Sequence, residues 1–306
     1  MLKVRRYQKK FVSLQSIFYF GIMKDYVEKN DCIIDEWKKW YVMNNQSKYP
    51  GCSNLHEYFS PDGIMYKGVF KQCIKTYPEV STFFRWERVA SGEENALWSD
   101  APLRILYLTK DQNTSGDIAW DVRSESFRYR NSNYRPEELY LDTGVAFYRN
   151  LVYSLYGIMN STKEEVVNYS FKNEKALEFA DKQIFARINC KKEVGKSVCG
   201  YKKLFESIYD NDGNVNKFLK RQIVNLDADV FVCCGLMDFM PEFLNKVGYE
   251  FTSQDKDKWI FYDSKKNKVA INSYHLSYSG FNLNNMISAY NAFLKDHPHF
   301  VDSHRN

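Results

Sequence analysis

Leu103-Arg104-Ile105-Leu106-Tyr107-Leu108-Thr109-Lys110-Asp111-Gln112-Asn113 is the stretch whose reading decides the fold. Its first seven residues are mostly aliphatic or aromatic and predict a strand buried on both faces. Polarity then flips abruptly to Lys110-Asp111-Gln112-Asn113. A buried strand that ends in short polar side chains marks a ligand site in an open α/β sheet, because ligands bind beyond the carboxyl ends of its strands.

Three later stretches repeat this design. Residues 183–192 predict a second buried strand, ending at Asn189, and residues 228–235 a third, terminated by Gly235. Residues 259–262 and 268–272 frame Lys265-Lys266-Asn267 as a strand–turn–strand. The last strand exits into Ser273-Tyr274-His275-Leu276-Ser277-Tyr278-Ser279-Gly280. Helical periodicity falls between them, over 139–155, 163–167, 174–181, 201–225 (interrupted at Asp212-Gly213), 241–247 and 283–294. Strands alternating with helices predict an α/β three-layer sandwich with a mainly parallel central sheet, over residues 86–306.

Residues 1–85 read as a helical N-terminal extension. Phe11, Leu14, Ile17, Phe18, Ile22 and Tyr26 form one apolar stripe; Ile33, Ile34, Trp37, Trp40 and Tyr41 form a second. A third helix is expected over 65–76, stopped by Pro78, and residues 79–98 look helical again. No catalytic signature lies in this region.

Composition narrows the function classes. A net charge of +5 over 306 residues permits a polyanionic partner without demanding one. Aromatics make up 17% of the chain, which serves either core packing or base stacking. Seven cysteines, an odd number without a CxxC, fit free thiols in a reducing cytoplasm. The basic residues 1–10 are followed by an apolar run broken at Ser13, Gln15 and Ser16, so no signal peptide is expected. No run of about 18 apolar residues predicts a membrane span. His275 lacks an HxxxH partner, and no metal site or cofactor is expected. No Walker loop, G-x-G-x-x-G or G-x-S-x-G occurs.

The strand tips carry the chemistry. A carboxylate such as Asp111 holds and polarises water, although a strand-end Asp also serves as a turn former. An amide such as Asn189 reads the edge of a planar ring. An imidazole such as His275 steadies a departing anion, although a lone His is also a structural residue. Together they suit hydrolysis of a bond to a heterocycle. Cys190 beside Lys191 is either an activated thiol or a structural one. Arg123, Arg128, Arg130 and Arg135, interleaved with Phe127, Tyr129 and Tyr134, suit phosphate and base contacts, or form a solvated loop.

In this order the motifs resemble the uracil-DNA glycosylase superfamily over residues 100–295. The family's G-Q-D-P-Y aligns with Thr109-Lys110-Asp111-Gln112-Asn113. Its base-reading Asn aligns with Asn189 in Ala186-Arg187-Ile188-Asn189-Cys190-Lys191. Its L-G strand end aligns with Cys234-Gly235, and its H-P-S-P-L with His275-Leu276-Ser277-Tyr278-Ser279. The resemblance implies a monomeric DNA glycosylase acting on a flipped base, in DNA repair or anti-phage defence. Asp111 and His275 are then catalytic. Asn189, Asn113 and Gln112 bind the base, and Lys110, Arg123, Arg128, Arg130, Ser277 and Tyr278 bind DNA. Gln112 replaces the family's Pro. Asn113 replaces the Tyr that guards the pyrimidine 5-position, which points to a 5-modified pyrimidine. The wedge Leu aligns with Ser279, whose place Leu276, Tyr278 or Phe281 can take. The alternative is a catalytically inactive member that binds DNA or a partner.

Overall fold

The computed structural model describes residues 25–47, 54–77, 80–112, 119–125, 146–161, 174–195, 199–236, 239–278, 280 and 283–300. Its centre is a seven-stranded sheet in the order β1 (Gly63–Ile64), β5 (Ala186–Asn189), β4 (Ile105–Thr109), β6 (Val230–Cys234), β9 (Lys268–Ser273), β8 (Ile260–Asp263) and β7 (Thr252–Ser253). Strands β5, β4, β6 and β9 run parallel, and β1, β8 and β7 join antiparallel at the two edges.

Every residue of β4, β5, β6 and β9 is buried. This is the condition of a sheet covered on both faces, and it explains the apolar runs in the sequence. Alternation along β4 sends Leu106 and Leu108 into one layer and Ile105 and Tyr107 into the other. The first layer holds α1 (Tyr26–Asn45), α2 (Glu94–Ser99), α5 (Tyr201–Ile208), α6 (Lys217–Leu226) and α7 (Glu242–Val247). The second holds α3 (Ala146–Asn160), α4 (Glu174–Lys182) and α8 (Leu283–Asp296).

The N-terminal third differs from its sequence reading. α1 is a helix as expected, started by Asp25, whose carboxylate accepts from the Glu28 amide at 2.9 Å. It is part of the core: Trp37 stacks on Phe218 of α6 at 5.8 Å. Below it, the Lys192 ammonium sits 2.6 Å from Asp62 Oδ1, and Gln222 donates to the same oxygen at 2.7 Å, all three side chains buried. Residues 63–64, 70–77 and 80–88 are strands, and no helix lies among the described residues between 63 and 88. β1 pairs with β5, and β2 (Phe70–Tyr77) pairs antiparallel with β3 (Val80–Arg88). Phe70, Cys73, Ile74 and Tyr77 fall at helical spacing. The aromatic and β-branched content of Val80–Arg88 favours pairing, and the pairing wins. The domain boundary expected at residue 85 falls inside β3. The expected helix over 163–167 lies outside the described residues, as does most of the stripe over 11–26.

Register is set at the amino ends of the strands. Arg104, just before β4, grips Asp229, just before β6, through Nη2–Oδ1 at 3.0 Å and Nε–Oδ2 at 3.2 Å. Lys268, the first residue of β9, reaches the same carboxylate at 2.8 Å. Burial alone pushes the Asp229 carboxyl up, but Arg104 and Lys268 outweigh burial and hold it below the usual range. Asp229→Ala leaves Arg104 and Lys268 with Asp227, 3.2 Å from each and more exposed, as their remaining carboxylate, at a cost of about 1–3 kcal/mol. A carboxyl depressed in the folded state stabilises fully above its unfolded value of about 3.9 and loses that contribution as pH falls through the folded value. The destabilisation by Asp229→Asn, read from urea unfolding, is therefore expected to be full at pH 7 and to shrink below pH 4.

Candidate functional site at the carboxyl edge

Among the parallel strands the chain visits β4, then β5 on one side, then returns across β4 to β6 and β9 on the other. The crossovers diverge between β4 and β6, and an open sheet has its crevice beyond that point. The residues there are Lys110 and Asp111 after β4, Gly235 after β6 and His275 after β9. Three of them are in contact: a Cβ on Gly235, whose φ is +75°, would fall 2.9 Å from Lys110 Cε and 3.1 Å from His275 Cβ. Only glycine combines that backbone conformation with that approach.

Asp111 lies on one side of Lys110. Its side chain is only 9% exposed, and Lys191 Nζ is 3.2 Å from Oδ2. The residue 190–195 loop wraps over it. Gly195 donates its amide to the Gln112 carbonyl at 2.9 Å, and a Cβ there would fall 2.1 Å from Asp111 Oδ2. The Cys199 thiol lies close enough to the same carboxylate for each to shift the other's proton affinity. Burial raises the Asp111 carboxyl above its ordinary value, and Lys191 offsets that only in part. Burial and Asp111 together push the Cys199 thiol up to about 11.

His275 lies on the other side. Burial, then the neighbouring Lys110 and Arg187 charges, lower its imidazole to about 4, so it is neutral at pH 7. Nδ1 accepts from the Ser277 amide at 3.2 Å, which leaves the proton on Nε2 as a donor. The tip is a turn closed by Tyr278 N donating to His275 O at 2.8 Å, and Asn150 of α3 donates to the Leu276 carbonyl at 2.6 Å.

Several expected roles change. Asn189 is fully buried; its amide oxygen accepts from Thr109 Oγ1 at 2.6 Å and its backbone amide donates to Asp62. In this conformation it locks β5 to β4 rather than facing a ligand. Gln112 is also buried and clasps the Trp120 backbone with both ends of its amide at 3.0 Å. Arg123 lies against Tyr66 and is ion-paired to Asp121 and Asp31, so it is no free phosphate ligand. Leu276 is a core residue, whereas Tyr278 is 51% exposed and packed against Tyr274 at 5.2 Å. Ser277 is exposed beside it. Asn113, Arg128, Arg130, Ser279 and Phe281 lie outside the described residues. Cys190 is buried and its thiol is pushed up to about 12, as a structural cysteine would be.

The sequence reading missed Lys191 as the partner of Asp111, although the residue stood two places past the second strand's tip. It also missed the buried pair Arg187–Glu125, which is held under the tips by Trp120 Nε1 donating to Glu125 at 2.7 Å and by Phe147 against the guanidinium at 4.5 Å. Among the described residues no group of three or more His, Cys, Asp or Glu side chains is placed to hold a metal, and no helix is long and apolar enough to cross a membrane.

Comparison with protein-family models, curated proteins and solved structures finds no match for this chain.

A carboxyl raised in the folded state works against stability once it ionises. Stability falls as pH rises from about 3.9, the unfolded value, through the folded value. Asp111→Asn mimics the protonated form. Its melting temperature is expected above that of the native chain at pH 7 and level with it near pH 3, as read by thermal unfolding.

Proposed function

We propose that the crevice between β4 and β6 hydrolyses the N-glycosidic bond of a nucleobase everted from DNA. The observation that carries this reading is the pairing of unlike groups across Lys110: a partly buried carboxylate on one side and a neutral imidazole donor on the other. Hydrolysis of such a bond builds positive charge on the sugar and negative charge on the departing base. Asp111 faces the first demand. It holds the attacking water, takes its proton and stabilises the cationic sugar. Burial raises its proton affinity, which improves it as a base, and the Lys191 charge favours its ionised form. His275 faces the second demand, donating from Nε2 to the base as it leaves, and the Lys110 charge adds to that field.

Tyr278 is the described residue best placed to fill the gap an everted nucleotide leaves, because its ring is exposed at the tip of the His275 turn. Asn113, where the resembled family has Tyr, supports a pyrimidine carrying a 5-substituent as the base. Base reading by Asn189 requires its bond to Thr109 to open. That constraint favours one second reading, a protein that binds DNA at this edge without cleaving it.

The test is release of free base from single- and double-stranded oligonucleotides carrying uracil, hydroxymethylcytosine or glucosylated hydroxymethylcytosine. Asp111→Ala is expected to slow release by about a hundred- to ten-thousand-fold, and His275→Ala by about a hundredfold or more. Salt-sensitive binding with no abasic product from any substrate would replace the enzymatic reading with the binding one.

A further inference from the structure

Beside the crevice lies a surface that the proposed reaction does not use. α5 buries Leu204 and Ile208 in the core, while Tyr201 and Phe205, one turn apart, are 50% and 49% exposed. These rings are held in place. Phe239 lies 6.0 Å from Tyr201 and 5.8 Å from Phe205, and Phe205 lies 4.6 Å from Tyr209. The surface is continuous with the crevice, because Lys110 Nζ sits 4.5 Å from the centre of the Tyr201 ring.

The charges around the rings indicate what covers them. Lys202 and Lys203 are exposed on the same helix, and Lys246 lies 4.9 Å from the Tyr209 ring. Against them stand Glu206, exposed on α5, and Glu242, which is paired to Lys246 at 2.9 Å. The centre of a protein–protein interface is depleted in lysine, so a protein partner would leave these ammonium groups desolvated. An unpaired nucleic-acid strand suits the same surface, since its bases stack on exposed rings at a spacing that lysines can follow along the phosphates.

We propose that α5 is a binding platform for single-stranded DNA, with bases on Tyr201 and Phe205 and a phosphate at Lys202. The platform rests on the reading of the crevice as a DNA site and adds to it the path of the strand: it crosses α5 and enters the crevice past Lys110. Duplex bases are already stacked and cannot use the rings, so the platform selects an unpaired strand.

The experiment is fluorescence anisotropy of the full chain with a labelled oligodeoxyadenosine, whose purine bases lie outside the proposed substrate class. Binding is expected to be tighter to this strand than to a duplex of the same length and to weaken with salt. Y201A/F205A is expected to weaken it by at least about tenfold, since stacking accounts for about 1–3 kcal/mol per base. K202Q is expected to flatten the log–log salt slope by about 0.7, the value for one phosphate contact on a single strand. All three side chains are exposed, and an unchanged melting temperature confirms that the variants fold. Absence of binding, a preference for duplex, or unchanged affinity in Y201A/F205A overturns the platform. Because an all-purine strand is not a substrate of the proposed reaction, that failure is separate from a failure to release bases, which would leave the binding result standing.

Discussion

Asp229 ties together the amino ends of three neighbouring parallel strands. Its carboxylate takes the fork of Arg104 before β4 and the ammonium of Lys268 at the start of β9, while its own position starts β6. A parallel ladder admits slipped registers unless something fixes it, and a slip of one residue turns every side chain to the other face. With the strands aligned at their amino ends, Leu108 pairs with Cys233 and Cys234 pairs with Ser273, so the strands run out together. The loops that follow then meet at one edge, and the contacts of Gly235 with Lys110 and His275 are the consequence.

Beneath that edge the sheet is polar where a core would be apolar. Arg187 and Glu125 form a buried pair, Thr109 links Asn189 to Arg187, and Gln112 clasps Trp120. Each group is satisfied by another, as burial requires. The network supports the crevice from below and imposes a field on it. The Arg187 charge helps keep His275 neutral, and Asp111 is left with Lys191 as its nearest cation. Acidic and donor groups thus stand on opposite sides of Lys110, in surroundings that push their proton affinities in opposite directions.

The sheet was readable in the sequence because its signals are local. Residues 103–109, 183–190, 228–235 and 268–272 are apolar runs that end in polar or glycine residues, and each became a parallel strand. The hairpin over Phe70–Arg88 was not readable, because Phe70, Cys73, Ile74 and Tyr77 mimic a helical face and the pairing that decides the matter is with a neighbouring strand. Asp111 and His275 were visible as strand tips, and both stand at the carboxyl edge of the sheet. The roles of Asn189, Gln112 and Arg123 were not visible, because their partners Thr109, Trp120 and Asp31 are brought to them only by the fold. Lys191 was hidden for the same reason: nothing in Cys190-Lys191-Lys192 says that one lysine turns to Asp111 and the next to Asp62.

On the proposed function, substrate enters at the carboxyl edge between β4 and β6. The most direct measurement is a crystal structure with a DNA strand bearing a 2′-fluorinated, cleavage-resistant nucleotide. The expected result is an everted base lying between Asp111 and His275, with its sugar nearer the carboxylate. A strand seated instead at the amino edge, over Arg104, Asp229 and Lys268, would contradict the account.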